Sequence, residues 1–176
     1  MQSALAPREY RPELISRRGE LIAWGSFLLV GATWIFLIVR GQSYCLAVPV
    51  VAIIFFLAAL SISLGNWMDR HTLLCINNDS VAYQNGIRNV EIRWENIQEV
   101  QVLPAQWGKK VHVIADQAHF RFQMLGEVKL QGEVKGRVGF TEGEMILDEI
   151  IERSKLHETQ APEQDQSENG VYYARE

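Results

Sequence analysis

The sequence predicts an α+β membrane protein, a two-helix transmembrane hairpin followed by a β-rich domain that a C-terminal helix closes. Three observations predict it: two uncharged apolar runs over 21–39 and 44–64, short alternating segments from His71 onward, and one amphipathic period after Thr141. The chain has 176 residues, 48% of them apolar, with a net charge of −4, and its apolar share is concentrated in 21–64. What remains after the spans is roughly a hundred residues, enough for one compact core.

The first run (LIAWGSFLLVGATWIFLIV) has nineteen residues and the second, Tyr44 to Leu64, has twenty-one. At 1.5 Å per residue each reaches close to the ~30 Å of a bilayer's hydrocarbon. A cleaved signal peptide is excluded for the first run, because its apolar core would be shorter and no small-residue cleavage pattern follows. Only Arg40, Gly41, Gln42 and Ser43 link the runs, which demands an antiparallel hairpin. Arg8, Arg11, Arg17 and Arg18 before it, with Arg70 and His71 after it, outweigh the lone Arg40 of the link. Positive charge is retained on the cytosolic side, so both termini are expected there, in a bacterial cytoplasmic membrane or a thylakoid. Trp24, Trp34, Tyr44 and Trp67 lie near the span ends, where amphipathic rings prefer the interface. Ser61 and Gly65 form a small-xxx-small pair through which a second copy could approach. Ionisable groups are missing from both runs, which argues against a transport path.

Past His71, Thr72–Ile76 leads through Asn77-Asn78-Asp79-Ser80 into Val81–Gln84, and Asn85-Gly86 turns that strand into Ile87–Ile92. Asn-Gly between apolar segments is a hairpin signal, because both residues accept positive φ. Trp94-Glu95-Asn96-Ile97 breaks the alternation with a short helical turn, and Glu99–Leu103 resumes it. Strands Val111–Ala115 and His119–Leu125 follow a loop that carries Trp107, Lys109 and Lys110. The second of them alternates Phe120, Phe122 and Met124 with His119, Arg121 and Gln123, as a half-buried antiparallel strand does. A glycine-punctuated stretch, Val128 to Phe140, supplies one or two more. Thr141 and Glu144 have capping-box spacing, and Ile146, Leu147, Ile150 and Ile151 recur at helical period behind them. The domains expected are a cytosolic segment 1–20, spans 21–39 and 44–64, a β-rich cytosolic domain 71–156 and a mobile polar tail 157–176.

The strand–turn–strand opening (Thr72–Gln84, Asn85-Gly86), the Arg93-Trp94-Glu95-Asn96-Ile97 step and the Phe140-Thr141-Glu142-Gly143-Glu144 stretch before the last helix resemble the bacterial pleckstrin-homology families that follow membrane hairpins. The resemblance covers roughly residues 20–156 and implies a pleckstrin-homology-like antiparallel β-barrel or sandwich capped by a C-terminal α-helix. A second likeness, architectural only, is to the photosystem I assembly factor of cyanobacteria and chloroplasts, which also places two spans before a β-rich domain. Phosphoinositide-binding members carry cations around the first hairpin loop, and here that loop is Asn77-Asn78-Asp79-Ser80.

No catalytic constellation is legible, so no enzyme activity, cofactor or metal is expected. The four histidines lack metal-ligand spacing, although His112 and His119 can fall on neighbouring strands. Cys45 and Cys75 sit in different structural phases and are expected to stay reduced and apolar in role. Between His71 and Leu156 there are ten Lys or Arg against twelve Asp or Glu, a balance that excludes nucleic acid. The expectation is a non-enzymatic membrane-anchored interaction module that scaffolds or assists assembly of a membrane complex, with a protein partner at the membrane. A lipid-sensing domain is the alternative, its candidate membrane-surface contacts being Arg17, Arg18, Trp67, Arg70, Trp107, Lys109 and Lys110.

Overall fold

A computed structural model describes residues 7–14, 16–41, 47–130, 132–159 and 170–175. The chain divides into two compact units, Ser16–Met68 and a second built from Met1–Ile15 together with Asp69–Glu176. Of the expected features, Tyr44, Cys45, Gln42 and Ser43 lie outside the described residues.

The first unit is a helical hairpin of α1 (Arg18–Val39) and α2 (Ala47–Arg70), both long and apolar enough to cross a membrane. Ala52 and Ala59 are its buried residues, small side chains that let helices approach closely. Trp24, Phe27 and Phe56 pack with ring centroids 5.4–6.2 Å apart. Near the paired ends, Trp24 Nε1 donates to Ser63 Oγ at 2.9 Å, Ser63 Oγ to Glu20 Oε1 at 2.8 Å, and Asn66 Nδ2 to Glu20 Oε2 at 2.9 Å. This polar clasp fixes the pairing of the helices, since a shift of one residue would break all three bonds. Larger apolar side chains, among them Leu29, Ile35, Ile54 and Leu57, face outward. Ser61 lies on the exposed surface with its hydroxyl donating to Leu57 O at 2.8 Å. The second helix runs six residues beyond the predicted Leu64, with no proline there to stop it.

The second unit opens with β1 (Arg8–Tyr10) and continues after the hairpin with β2 (Thr72–Ile76), β3 (Ser80–Asn85) and β4 (Asn89–Arg93). These four form one antiparallel sheet in that order. A 3₁₀ turn at Trp94–Asn96, where the helical interruption was expected, leads to β5 (Ile97–Pro104), β6 (Lys109–Ala115) and β7 (His119–Gln123). A separate two-stranded hairpin, β8 (Gly126–Leu130) and β9 (Glu133–Val138), precedes α3 (Gly143–Ser154). Two further strands, β10 (His157–Thr159) and β11 (Val171–Ala174), extend the second sheet, whose order is β10-β11-β5-β6-β7.

Alternation decides what this unit buries. Leu74, Ile76, Val81 and Ile92 from the first sheet, Val100, Val111, Val113, Phe120 and Phe122 from the second, and Ile146, Leu147 and Ile150 from α3 form one continuous core. Each such side chain contributes roughly 1.5–3 kcal/mol by leaving water.

Four expectations are corrected. Of the barrel or sandwich expected, the β unit is two packed sheets plus a hairpin, and no closed barrel forms among the described residues, where β4 ends the first sheet beside β3 and β5 lies in the second. Of the segment 157–176 expected as a mobile tail, His157–Thr159 and Val171–Ala174 are strands, with Tyr172 buried, and 160–169 lie outside the described residues. Likewise the N-terminal segment contributes Arg8–Tyr10 to the first sheet, so the domain is larger than 71–156. The capping box is also absent. Glu142 is the N-cap without a side-chain bond, and Gly143 N–H donates to Phe140 O at 3.1 Å. Gly143 packs so tightly on Met124 (an added Cβ would lie 3.0 Å from its Cα) that the turn from Phe140 sets where the helix starts.

Candidate functional site

A concavity in the β unit lies where the β2–β3 turn, the 3₁₀ turn and the end of α3 meet. Asn77, Asp79, Glu91, Arg93, Arg153 and Lys155 are among its walls, around a volume of about 1140 Å³. Trp94 is its pivot. Its ring is buried, while its Nε1 donates to Asn77 O at 3.3 Å and Asn78 O at 3.0 Å. Arg153 projects from the last turn of α3, its guanidinium 5.5 Å from the Trp94 ring centroid. Its Nη1 donates to Asn77 O at 2.9 Å and its Nη2 to Glu149 Oε1 at 2.6 Å. Stacking plus charge-assisted bonding locks a guanidinium far better than either alone. Arg175, just past β11, closes another side by donating to Glu95 O at 2.7 Å, Trp94 O at 3.3 Å and Ser154 O at 3.2 Å.

Local sequence explains the framework. Asn77 N–H donates to Ser80 O at 2.9 Å, so the Asn-Asn-Asp turn is tight and its carbonyls face the cleft. Lys155 adopts a left-handed conformation (φ 54°) as the C-cap, and Leu156 N–H donates back to Ile151 O at 3.2 Å. Ser80 Oγ donates to Glu91 Oε1 at 2.7 Å across β3 and β4. Arg153 and Arg175 are thus occupied with main chain, whereas Arg93 and Lys155 are exposed beside Asp79 and Glu95. Such a cleft offers donors, acceptors and both signs of charge.

At the other end of the first sheet, Thr72 pairs with Asn85. A second concavity there is lined by Tyr83, Arg88, Asp116, His119 and Arg121. Tyr83 stacks on Phe120 with centroids 5.3 Å apart. Burial raises its phenol above the ordinary tyrosine value; Thr72, Arg121 and Asn85 act the other way and Asp69 with the burial. His112 and His119 do fall on adjacent strands, but the register sets His112 opposite Arg121 and His119 opposite Ile114. No group of three metal-ligating residues occurs among the described residues. Cys75 is half-buried on β2, its thiol pushed up by burial.

The predicted surface residues are divided between the two units, and within the β unit they fall at two places. Arg17, Arg18 and Trp67 are exposed on the helical unit. Trp107 lies in the β5–β6 turn and Lys109 and Lys110 open β6 just after it, with Trp107 half-buried and its carbonyl accepting from Gln123 Nε2. Gly126 packs against that turn so closely that an added Cβ would lie 2.3 Å from Trp107 O. Arg70 precedes Thr72, at the end where Tyr83 meets Arg88 and the β6–β7 turn. Lys109 is at the opposite end of β6, roughly 20 Å away along a strand. Sequence reading missed Arg153, Arg175 and Trp94 as one group, for Arg153 and Asn77 are 76 positions apart. The first hairpin loop, which carries no cation of its own, receives one from α3. No family model, curated protein or solved structure matches the chain.

Proposed function

We propose that the chain is a non-enzymatic, membrane-anchored interaction module whose pleckstrin-homology-like β unit holds a protein partner and helps assemble a membrane protein complex. The observation that carries this reading is the Trp94 cleft. It lies at the Asn77 end of the first sheet, the end away from Thr72, where the chain arrives from α2. A cleft that mixes pinned carbonyls with Arg93, Lys155, Asp79 and Glu95 suits a peptide segment, which itself carries donors, acceptors and charge of either sign. Strand addition on β5 is the weaker route to a partner, because β11 already pairs along that strand.

The anchor is supported by two helices of sufficient length and by their outward apolar side chains. The β1–β2 pairing supports both flanks of the hairpin lying on one side. Basic residues concentrated on those flanks support that side being cytosolic. Tethering in the bilayer raises the partner's effective concentration.

A photo-crosslinking residue at Glu95 in the full-length membrane protein tests the reading, with the same residue at Lys110 as comparison. The expected result is a discrete adduct at position 95, weaker at 110, and reduced by Arg93→Glu with Lys155→Glu. Equal or absent labelling at position 95 overturns the cleft as partner site.

A further inference from the structure

We infer that the β3–β4 turn is a second membrane contact, a foot in which Ile87 and Arg88, with Arg121 beside them, rest on the anionic headgroups of the bilayer that holds the hairpin. The inference depends on the proposed anchoring of α1 and α2.

The turn is built to display its tip. Asn85 Oδ1 accepts from Ile87 N–H at 3.3 Å and Arg88 N–H at 2.8 Å, and Asn85 N–H donates to Arg88 O at 3.0 Å. Gly86, at φ 78°, supplies the one positive dihedral that the tight turn requires. Held there, Ile87 is 66% exposed, a large apolar side chain outside the core of the unit. A β-branched apolar residue at the tip of a polar turn gains nothing from water.

Covalent reach names the occupant. Beyond Leu64, α2 continues for six residues, about 9 Å of helix, which carries Arg70 from the hydrocarbon edge into the headgroup layer. Only His71 then separates Arg70 from Thr72. Thr72 is paired with Asn85, the first residue of the turn, so the tip cannot lie more than about 20 Å from Arg70. Strand β2 runs away from this end, so the Asn77 end of the first sheet lies farther along that strand from Arg70.

Charge agrees with an anionic surface. Arg88 and Arg121 both line the concavity at this end, and the ion pairs among the described residues involve neither. Asp69 and Asp116 also face this region, Asp116 accepting from Gln98 Nε2. Anionic headgroups attract such juxtamembrane cations over about a Debye length. Trp107, Lys109 and Lys110 have composition of the same kind but sit at the far end of β6.

The test uses the full-length chain in vesicles of phosphatidylcholine alone or mixed equally with phosphatidylglycerol. An environment-sensitive fluorophore is placed singly by Ile87→Cys, Asn78→Cys or Ile54→Cys in a Cys45→Ala/Cys75→Ala background, with nitroxide-bearing lipid as quencher. With phosphatidylglycerol present, the label at 87 is expected to be quenched several-fold more than the label at 78. Arg88→Glu with Arg121→Glu should bring the two to the same level. Equal quenching at 87 and 78, with strong quenching at 54, overturns the foot and leaves the anchor standing. A label at 54 that escapes the quencher overturns the anchor, and the foot with it.

Discussion

Gly139 shows how single residues fix this fold. Its φ is 104°, and a Cβ added there would lie 2.5 Å from Met124 O. Gly132 has a similar φ of 85° but open space around it. Gly139→Ala should therefore cost about 1–3 kcal/mol of overpacking beyond the backbone strain that Gly132→Ala incurs alone. Denaturant titration of the detergent-solubilised chain, read by tryptophan fluorescence, compares the two; equal losses would show that the contact with Met124 yields freely. Tyr83 predicts a pH dependence. Burial first, then Asp69, raise its folded-state pKa above the ordinary value of about 10. The fold thus favours the neutral phenol, and that stability is whole below pH ~10 and lost as pH climbs through the higher folded value. Unfolding titrations across the alkaline range should show this loss in the natural chain and a flatter profile in Tyr83→Phe.

Among the elements, β11 matters most, because it covers an edge that β5 would otherwise leave unpaired. Tyr173 lies opposite Val100 in that pairing. Tyr173→Pro removes a main-chain donor from β11 and should strip amide-exchange protection from the alternate amides of Glu99–Val102 that bond to β11, while sparing Val111 and Val113, whose strand pairs with β5 and β7. Unchanged exchange at Glu99–Val102 would mean that β5 is protected without β11. Sequence alone made some elements legible and hid others for identifiable reasons. The hairpin helices are declared by composition, and β3, β4 and the 3₁₀ turn by Asn-Gly and the Trp-Glu-Asn step, all local signals. Strand β11 is four residues whose pairing is decided by a strand about 70 positions earlier, so no local signal reveals it. The Thr141–Glu144 spacing misled because tight packing of Gly143 on Met124 overrode a cap worth ~1 kcal/mol. The cleft was illegible for the same cause as β11: Trp94, Arg153 and Arg175 gather only when both sheets and α3 are in place.

For the whole molecule, a helical unit and a β unit divide the labour of anchoring and recognition in the proposed function. The division is not a simple succession along the chain. Because β1 precedes the hairpin and pairs with β2 after it, the first sheet is interrupted by the entire helical unit. Any contiguous fragment starting at His71 lacks β1, and its β2 edge is bare. Cutting the chain between its two units therefore cannot release an intact β domain. A soluble form requires splicing: Pro7–Leu14 joined by a short flexible linker to His71–Arg175, with the hairpin removed. Such a spliced chain is expected to unfold cooperatively, whereas the simple 71–175 fragment should show lowered stability and self-association through β2. The same interruption ties completion of the first sheet to the hairpin, since β1 and β2 can pair only after the chain has passed through both intervening helices and returned.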